Sequence, residues 1–127
     1  METRQINAGD APQAMGGYSQ ALEVRSATRF LFISGQIPET REGSVPPAFP
    51  DQARLVWQNV ERQLRAAGMS LDNLVKVTTY LSDRRFAPDN RQVRGEVLGN
   101  RSVALTVIIS GIFDERWLLE IEAIAAA

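Results

Sequence analysis

Three observations predict an α+β domain, in which a mixed six-stranded sheet carries two helices packed on one face. Short stretches with strand-like alternation or β-branched and aromatic content occur six times along the chain. Two longer stretches carry apolar residues at helical spacing. Their order is β-β-β-α-β-α-β-β, with one helix after each of two strand groups, as expected when both helices share one side of a sheet. At 127 residues the chain is one ordinary domain, 1–127, able to bury roughly two thirds of its unfolded surface without disulfide or metal staples.

The elements follow from local pattern. Residues 1 to 17 read as a short strand and a loop, Asn7-Ala8-Gly9-Asp10-Ala11-Pro12, that ends in the flexible pair Gly16-Gly17. Tyr18 to Val24 alternates as a strand, and Arg29 to Ser34 is a second one built on the apolar run Phe30 to Ile33. Ser26-Ala27-Thr28 is the expected hairpin turn between them. Pro38 to Phe49, with three prolines and a glycine, reads as a surface loop.

The clearest helix runs from Asp51 to Ala67. Asp51 is a candidate cap, Ala53, Val56, Val60, Leu64 and Ala67 recur at spacings of three and four, and Gly68 stands where a left-handed cap belongs. Val75 to Leu81 is a strand rich in valine, threonine and tyrosine. Pro88 to Leu98 is a second helix, ended by Gly99. Val103 to Phe113 and Trp117 to Ala125 are expected to pair around Asp114-Glu115-Arg116. Trp117, beside Leu118 and Leu119, should be largely buried. Leu105 to Ile112 is apolar on both faces, while two helices cover only one, so the other face should be buried between subunits.

Composition excludes several classes of chemistry. There is no cysteine and no histidine, hence no disulfide, thiolate nucleophile, Ser-His triad or imidazole metal ligand. A site must be made from carboxylates, arginine, hydroxyls, amides and backbone, with no metal and no cofactor expected. With 14 basic and 15 acidic side chains, nothing argues for nucleic acid. A small molecule or a protein is the expected partner. Neither a signal core nor a membrane-length apolar run is present, so a cytoplasmic location is expected.

The last strand is where this chemistry could reside. Side chains alternate across a strand, so Glu120, Glu122 and Ile124 share one face and Leu119, Ile121 and Ala123 the other. A carboxylate held among apolar neighbours loses hydration, its pKa rises, and it can act as a general base near neutral pH. The alternative is a solvated edge strand. Tyr18 has two readings as well, a packed tyrosine or a ligand contact.

Three blocks resemble the Rid (YjgF/UK114) family of enamine and imine deaminases. They are Gly16-Gly17-Tyr18-Ser19-Gln20-Ala21, Ser34-Gly35-Gln36-Ile37-Pro38 and Leu119-Glu120-Ile121-Glu122-Ala123-Ile124-Ala125. The resemblance covers essentially the whole chain and implies a chorismate-mutase-like fold assembled as a homotrimer. It also implies a site in the cleft between subunits, in which Glu120 orients and deprotonates the attacking water and Tyr18 lines the pocket. The backbone at Gly35 and Gln36, otherwise a tight turn, and at Val107 would then lie close to substrate. Asn90 matches a family asparagine near the site, or else simply starts a helix.

One departure concerns arginine. Rid deaminases hold a substrate carboxylate with an arginine in a Pro-Ala-Arg-Ser motif, which suits the guanidinium fork. The stretch here is Asn100-Arg101-Ser102-Val103-Ala104-Leu105-Thr106. Matching Arg101 to the motif requires a shortening before it and four extra residues before Glu120, whereas the ungapped match puts Leu105 or Ala104 at the arginine position. Arg101 is therefore either the clamp, on a loop that folds back, or a residue preceding the strand. The proline usual before Tyr18 is replaced by Gly17, and the cysteine that often follows the family arginine is absent. The leading expectation is a cofactor-free hydrolytic deaminase. Its alternative is a non-catalytic ligand-binding or protein-stabilising trimer, and the RNA cleavage reported for some relatives is disfavoured by the balanced charge.

Overall fold

The computed structural model describes residues 1–127 and contains six strands and two α-helices. The strands are β1 (Glu2–Ile6), β2 (Ala21–Arg25), β3 (Phe30–Gln36), β4 (Leu74–Leu81), β5 (Ala104–Ile109) and β6 (Leu119–Ala126). The helices are α1 (Phe49–Ala66), between β3 and β4, and α2 (Ala87–Leu98), between β4 and β5. Element order and type agree with the sequence.

Pairing differs from the expectation in three respects. The four-stranded sheet has the order β3-β6-β4-β5, and β1 and β2 form a separate antiparallel pair. The strands are thus divided four and two rather than joined in one six-stranded sheet. The expected hairpin between the last two strands does not form, since β6 is antiparallel to β3 and β4 while β5 runs parallel beside β4. Nor do β2 and β3 pair across Ser26, which has a positive φ of 57°.

The reason is connection length. α1 and α2 are crossover connections that make β3, β4 and β5 parallel, and α1 leaves between β3 and β4 a slot that the last strand fills. Residues 110–118 carry the chain from the edge back to that slot. The turn is held by Ser110 N–H donating to Leu81 O (2.9 Å) and Ser82 N–H donating to Leu118 O (3.0 Å).

α1 begins two residues before the expected start. Pro50 occupies its first turn, where a missing N–H costs nothing, and Asp51 lies inside the helix rather than capping it. At its other end Gly68 adopts φ 71°, with Met69 N–H donating to Leu64 O and Gly68 N–H to Arg65 O, a Schellman closure. The α1 stripe Ala53, Val56, Trp57, Val60 and Leu64 packs on Val77, Leu81, Leu119, Ile121 and Ala123 of the sheet, all of them buried. Gln52 is the buried polar member of this interface. Its side chain donates to Pro46 O (2.8 Å) and Arg116 O (2.9 Å) and accepts from Leu118 N–H (2.8 Å).

The other sheet face has no layer over it within the chain. Register puts Phe30, Phe32, Ile124, Glu122, Glu120, Lys76, Thr78, Tyr80, Thr106 and Ile108 on that side. Phe30 and Phe32 are 58% and 74% exposed. Trp117 precedes β6 in the crossing loop and is largely, though not fully, buried, with its indole N–H shielded from solvent.

Candidate functional site

Glu120 lies on the open face of β6, directly opposite Tyr80 of β4. On its other side the register of β3 against β6 shifts between Ile33 and Gln36, and this irregularity brings Gly35 against the carboxylate. A β-carbon built on Gly35 would fall on the Glu120 side chain, 2.7 Å from Cδ and 3.0 Å from Cγ. Only glycine leaves room for the carboxylate there.

Glu120 has no ion-pair partner, and desolvation raises its pKa, with a further contribution from Glu122. The neighbouring glutamate is differently placed. Tyr80 OH donates to Glu122 Oε1 at 2.9 Å, and this bond raises the tyrosine's pKa. One carboxylate of the pair is therefore tied to a phenol, and the other is left to accept a proton. Gln36 is held by its own surroundings, donating to Ser34 O (2.9 Å) and accepting from Gln63 Nε2 (3.4 Å).

Tyr18, Asn90 and Val107 meet elsewhere. With Met15, Ala87, Arg91, Arg94 and Leu105 they line a cavity of about 370 Å³ between α2 and the edge strand β5. Tyr18 belongs to the loop before β2, not to the strand, and Ser19 N–H donating to Val103 O (3.0 Å) fastens that loop to the start of β5. Asn90 lies in the first turn of α2, at the start of the helix, with its side chain on the cavity. Val107 pairs with buried Thr79, whereas Glu120 pairs with Tyr80, so the two groups occupy opposite sides of the sheet within one chain.

The family is legible from comparison. Residues 8–127 match the model described as Endoribonuclease L-PSP. The chain is 38% identical over 118 residues to the RutC family protein PH0854 of Pyrococcus horikoshii, covering 91% of each. The solved Rid-family protein YyfB of Yersinia pestis, whose function is described as unknown, superposes with a TM-score of 0.84 at 25% identity over the full length of both chains. The chain belongs to the Rid family.

Among Rid relatives, TdcF of Escherichia coli is a reactive intermediate deaminase by name and is 39% identical over 74 residues, 58% of this chain and 55% of TdcF. The arginine question has a clear geometry in this Rid chain. Arg101 precedes β5, donates through Nε to Asp72 Oδ1 at 2.7 Å and through Nη1 to Leu98 O at 3.3 Å, and borders a different groove with Thr3, Arg4 and Leu22. Nothing within the chain brings it to Glu120 or to the Tyr18 cavity. Leu105 and Val107 are the β5 residues that line that cavity.

Sequence reasoning did not single out Arg91 and Arg94. Ala87, Asn90, Arg91 and Arg94 recur at i, i+3, i+4 and i+7, the spacing of one helix face, and that face looks into the cavity. The same spacing, searched for polar residues around Asn90, would have found them.

Proposed function

We propose that this protein is a hydrolytic deaminase of reactive enamine or imine intermediates, acting in a cleft between the subunits of a homotrimer. The observation that carries the reading is the Glu120 carboxylate. It is held without a cation, its pKa is raised by desolvation, and it sits against the backbone of Gly35. Family membership and the name of TdcF support the class of reaction.

The separation of the two half-sites supports the assembly. Tyr18, Asn90 and Val107 of one copy would face Gly35, Gln36 and Glu120 of the next, and association through the open sheet face would cover Phe30 and Phe32. In the reaction Glu120 takes a proton from water as the oxygen attacks the C=N carbon. The imine nitrogen receives that proton from the Glu120 carboxyl to give a neutral carbinolamine, whose hydroxyl proton then passes through the same carboxylate to the nitrogen as the C–N bond breaks, so that ammonia and a carbonyl compound leave. Backbone groups near Gly35 and Val107 would hold the imine, and no cofactor is required by this balance.

The ungapped match, which puts Leu105 or Ala104 at the family's arginine position, together with Leu105 in the cavity favours a second reading, a trimer that binds a small ligand without turning it over. Hydrolysis of a freshly generated imino acid decides between them. Glu120→Gln keeps the size and hydrogen bonding of the side chain but removes the base, so ammonia release should fall about 100-fold or more with assembly unchanged. A wild-type protein that accelerates no imine hydrolysis, or a variant as fast as wild type, would sink the deaminase reading.

A further inference from the structure

Gly35 meets Glu120 at a gap in the ladder between β3 and β6. Ile33 pairs with Ala123 and Gln36 with Ile121, so three steps along β3 oppose two along β6 and the register passes over Ser34 and Gly35. One extra residue makes this a β-bulge, whose direction the ladder does not fix by itself. After Gln36 the chain leaves the sheet, and Ile37 to Ala48 contains no helix or strand. Something else must hold the bulge.

That hold comes from α1, where Asn59, Arg62 and Gln63 stand at spacings of three and four and so share a helix face. Asn59 Nδ2 donates to Ile37 O (2.9 Å) and to Glu39 O (3.1 Å), gripping the backbone on both sides of buried Pro38. Asn59 Oδ1 accepts from Arg62 Nη1 at 2.8 Å, which fixes the orientation of the amide. One helical turn on, Gln63 Nε2 donates to Gln36 Oε1 (3.4 Å), and Gln36 Nε2 donates to Ser34 O (2.9 Å). The segment from Ser34 to Glu39 is therefore tethered on either side of Gly35, and Asn59 makes the two bonds that reach its backbone from the helix.

We propose that Asn59 is a positioning residue for Glu120: by tying the carbonyls of Ile37 and Glu39 to α1 it holds the Gly35 bulge against the carboxylate, fixing where the base points and limiting its access to water. Its catalytic meaning rests on the deaminase reading, but the positioning can be measured without substrate. The titratable groups facing Glu120 are Glu122 beside it on β6 and Tyr80 opposite it on β4, with Lys76 further along β4 and bonded to Thr106; β3 contributes none from Phe30 to Gln36. Glu39, Arg41, Glu42 and Arg62 border a groove with Gly35 that Glu120 does not line. Asn59 carries no charge, so replacing it acts on Glu120 through geometry and hydration. Burial raises the Glu120 pKa, and a loosened bulge admits water, favours the charged form and lowers it again.

The test is a carbon-13 NMR titration of the Glu120 carboxyl in the full chain, its signal assigned by its loss in Glu120→Gln, run beside the pH profile of imine hydrolysis. Asn59→Leu keeps the volume but has no donor, and should lower the Glu120 pKa by at least about 0.5 unit and carry the acid limb of the rate profile with it. The same variant should lose about 10- to 100-fold in kcat with KM changed less than about threefold, as expected when a base is misplaced. Asn59→Gln retains an amide and should recover part of both effects. Asn73→Leu is the control, since the Asn73 amide donates to Ala126 O (3.0 Å) at the far end of β6; it should cost stability and leave the Glu120 titration in place. If Asn59→Leu does not fold, Asn59→Ser, too short to reach both carbonyls, carries the same test. An unmoved Glu120 titration in the folded Asn59 variant, or an equal shift in Asn73→Leu, would overturn the proposal. A shift in Asn59→Leu alone, in a protein whose wild type hydrolyses no imine, would leave the positioning standing and refute the deaminase reading instead.

Discussion

Gly35→Ala probes the contact between the β3 irregularity and the candidate base. The added methyl would lie 2.7 Å from Glu120 Cδ and 3.0 Å from Cγ, well inside the 3.5–4.0 Å of a good carbon contact. The three nearest atoms it meets belong to the Glu120 side chain, which can swing toward the open face. The stability cost is therefore that of an off-rotamer glutamate, about 1 kcal/mol, rather than that of a rebuilt strand. The functional cost is larger, since moving a base by about 1 Å lowers turnover on the order of 100-fold. Swinging outward also rehydrates the carboxylate. Its pKa falls back toward the ordinary glutamate value, and the acid limb of the pH–rate profile, which rises as the base deprotonates, should shift to lower pH.

Urea denaturation of Gly35→Ala, Glu120→Ala and the double variant isolates the contact. Glu120→Ala removes the obstacle, so the alanine at position 35 should cost less in that background, by about 0.5 kcal/mol or more. Strictly additive effects would refute the contact, and an acid limb that stays in place would refute the role of desolvation in setting the pKa.

Gln52→Leu keeps the volume of a buried side chain but strands Pro46 O, Arg116 O and Leu118 N–H, so thermal or urea unfolding should show a loss of about 2–4 kcal/mol; a loss under about 0.5 kcal/mol would mean that water replaces the amide. Phe32→Glu introduces a charge on the edge strand β3 of the open sheet face, next to Glu122 and Ile124, and should convert the proposed trimer to monomer in sedimentation velocity while far-UV dichroism is retained. A wild-type monomer at micromolar concentration would remove the intersubunit cleft altogether.

Local pattern alone determined much of this protein. The α1 stripe from Ala53 to Leu64, the glycine cap at Gly68 and the alternation that puts Glu120 and Glu122 on one face of β6 are properties of short windows, because helical and strand periodicities are set by backbone geometry. The three motif blocks likewise announced the family, and with it the architecture. Partners were not legible in the same way. Periodicity says which face a strand shows, not which strand lies beside it, so the insertion of β6 between β3 and β4 and the parallel alliance of β4 with β5 emerged only from packing two crossover helices on a single sheet face. The same limit applied to the cleft. Gly35 meets Glu120 across 85 residues of chain through a register shift, and Arg94 reaches the cavity of Tyr18 and Leu105 because α2 crosses behind the edge strand. Contacts of that separation are chosen by the burial of the whole core, which no short window contains.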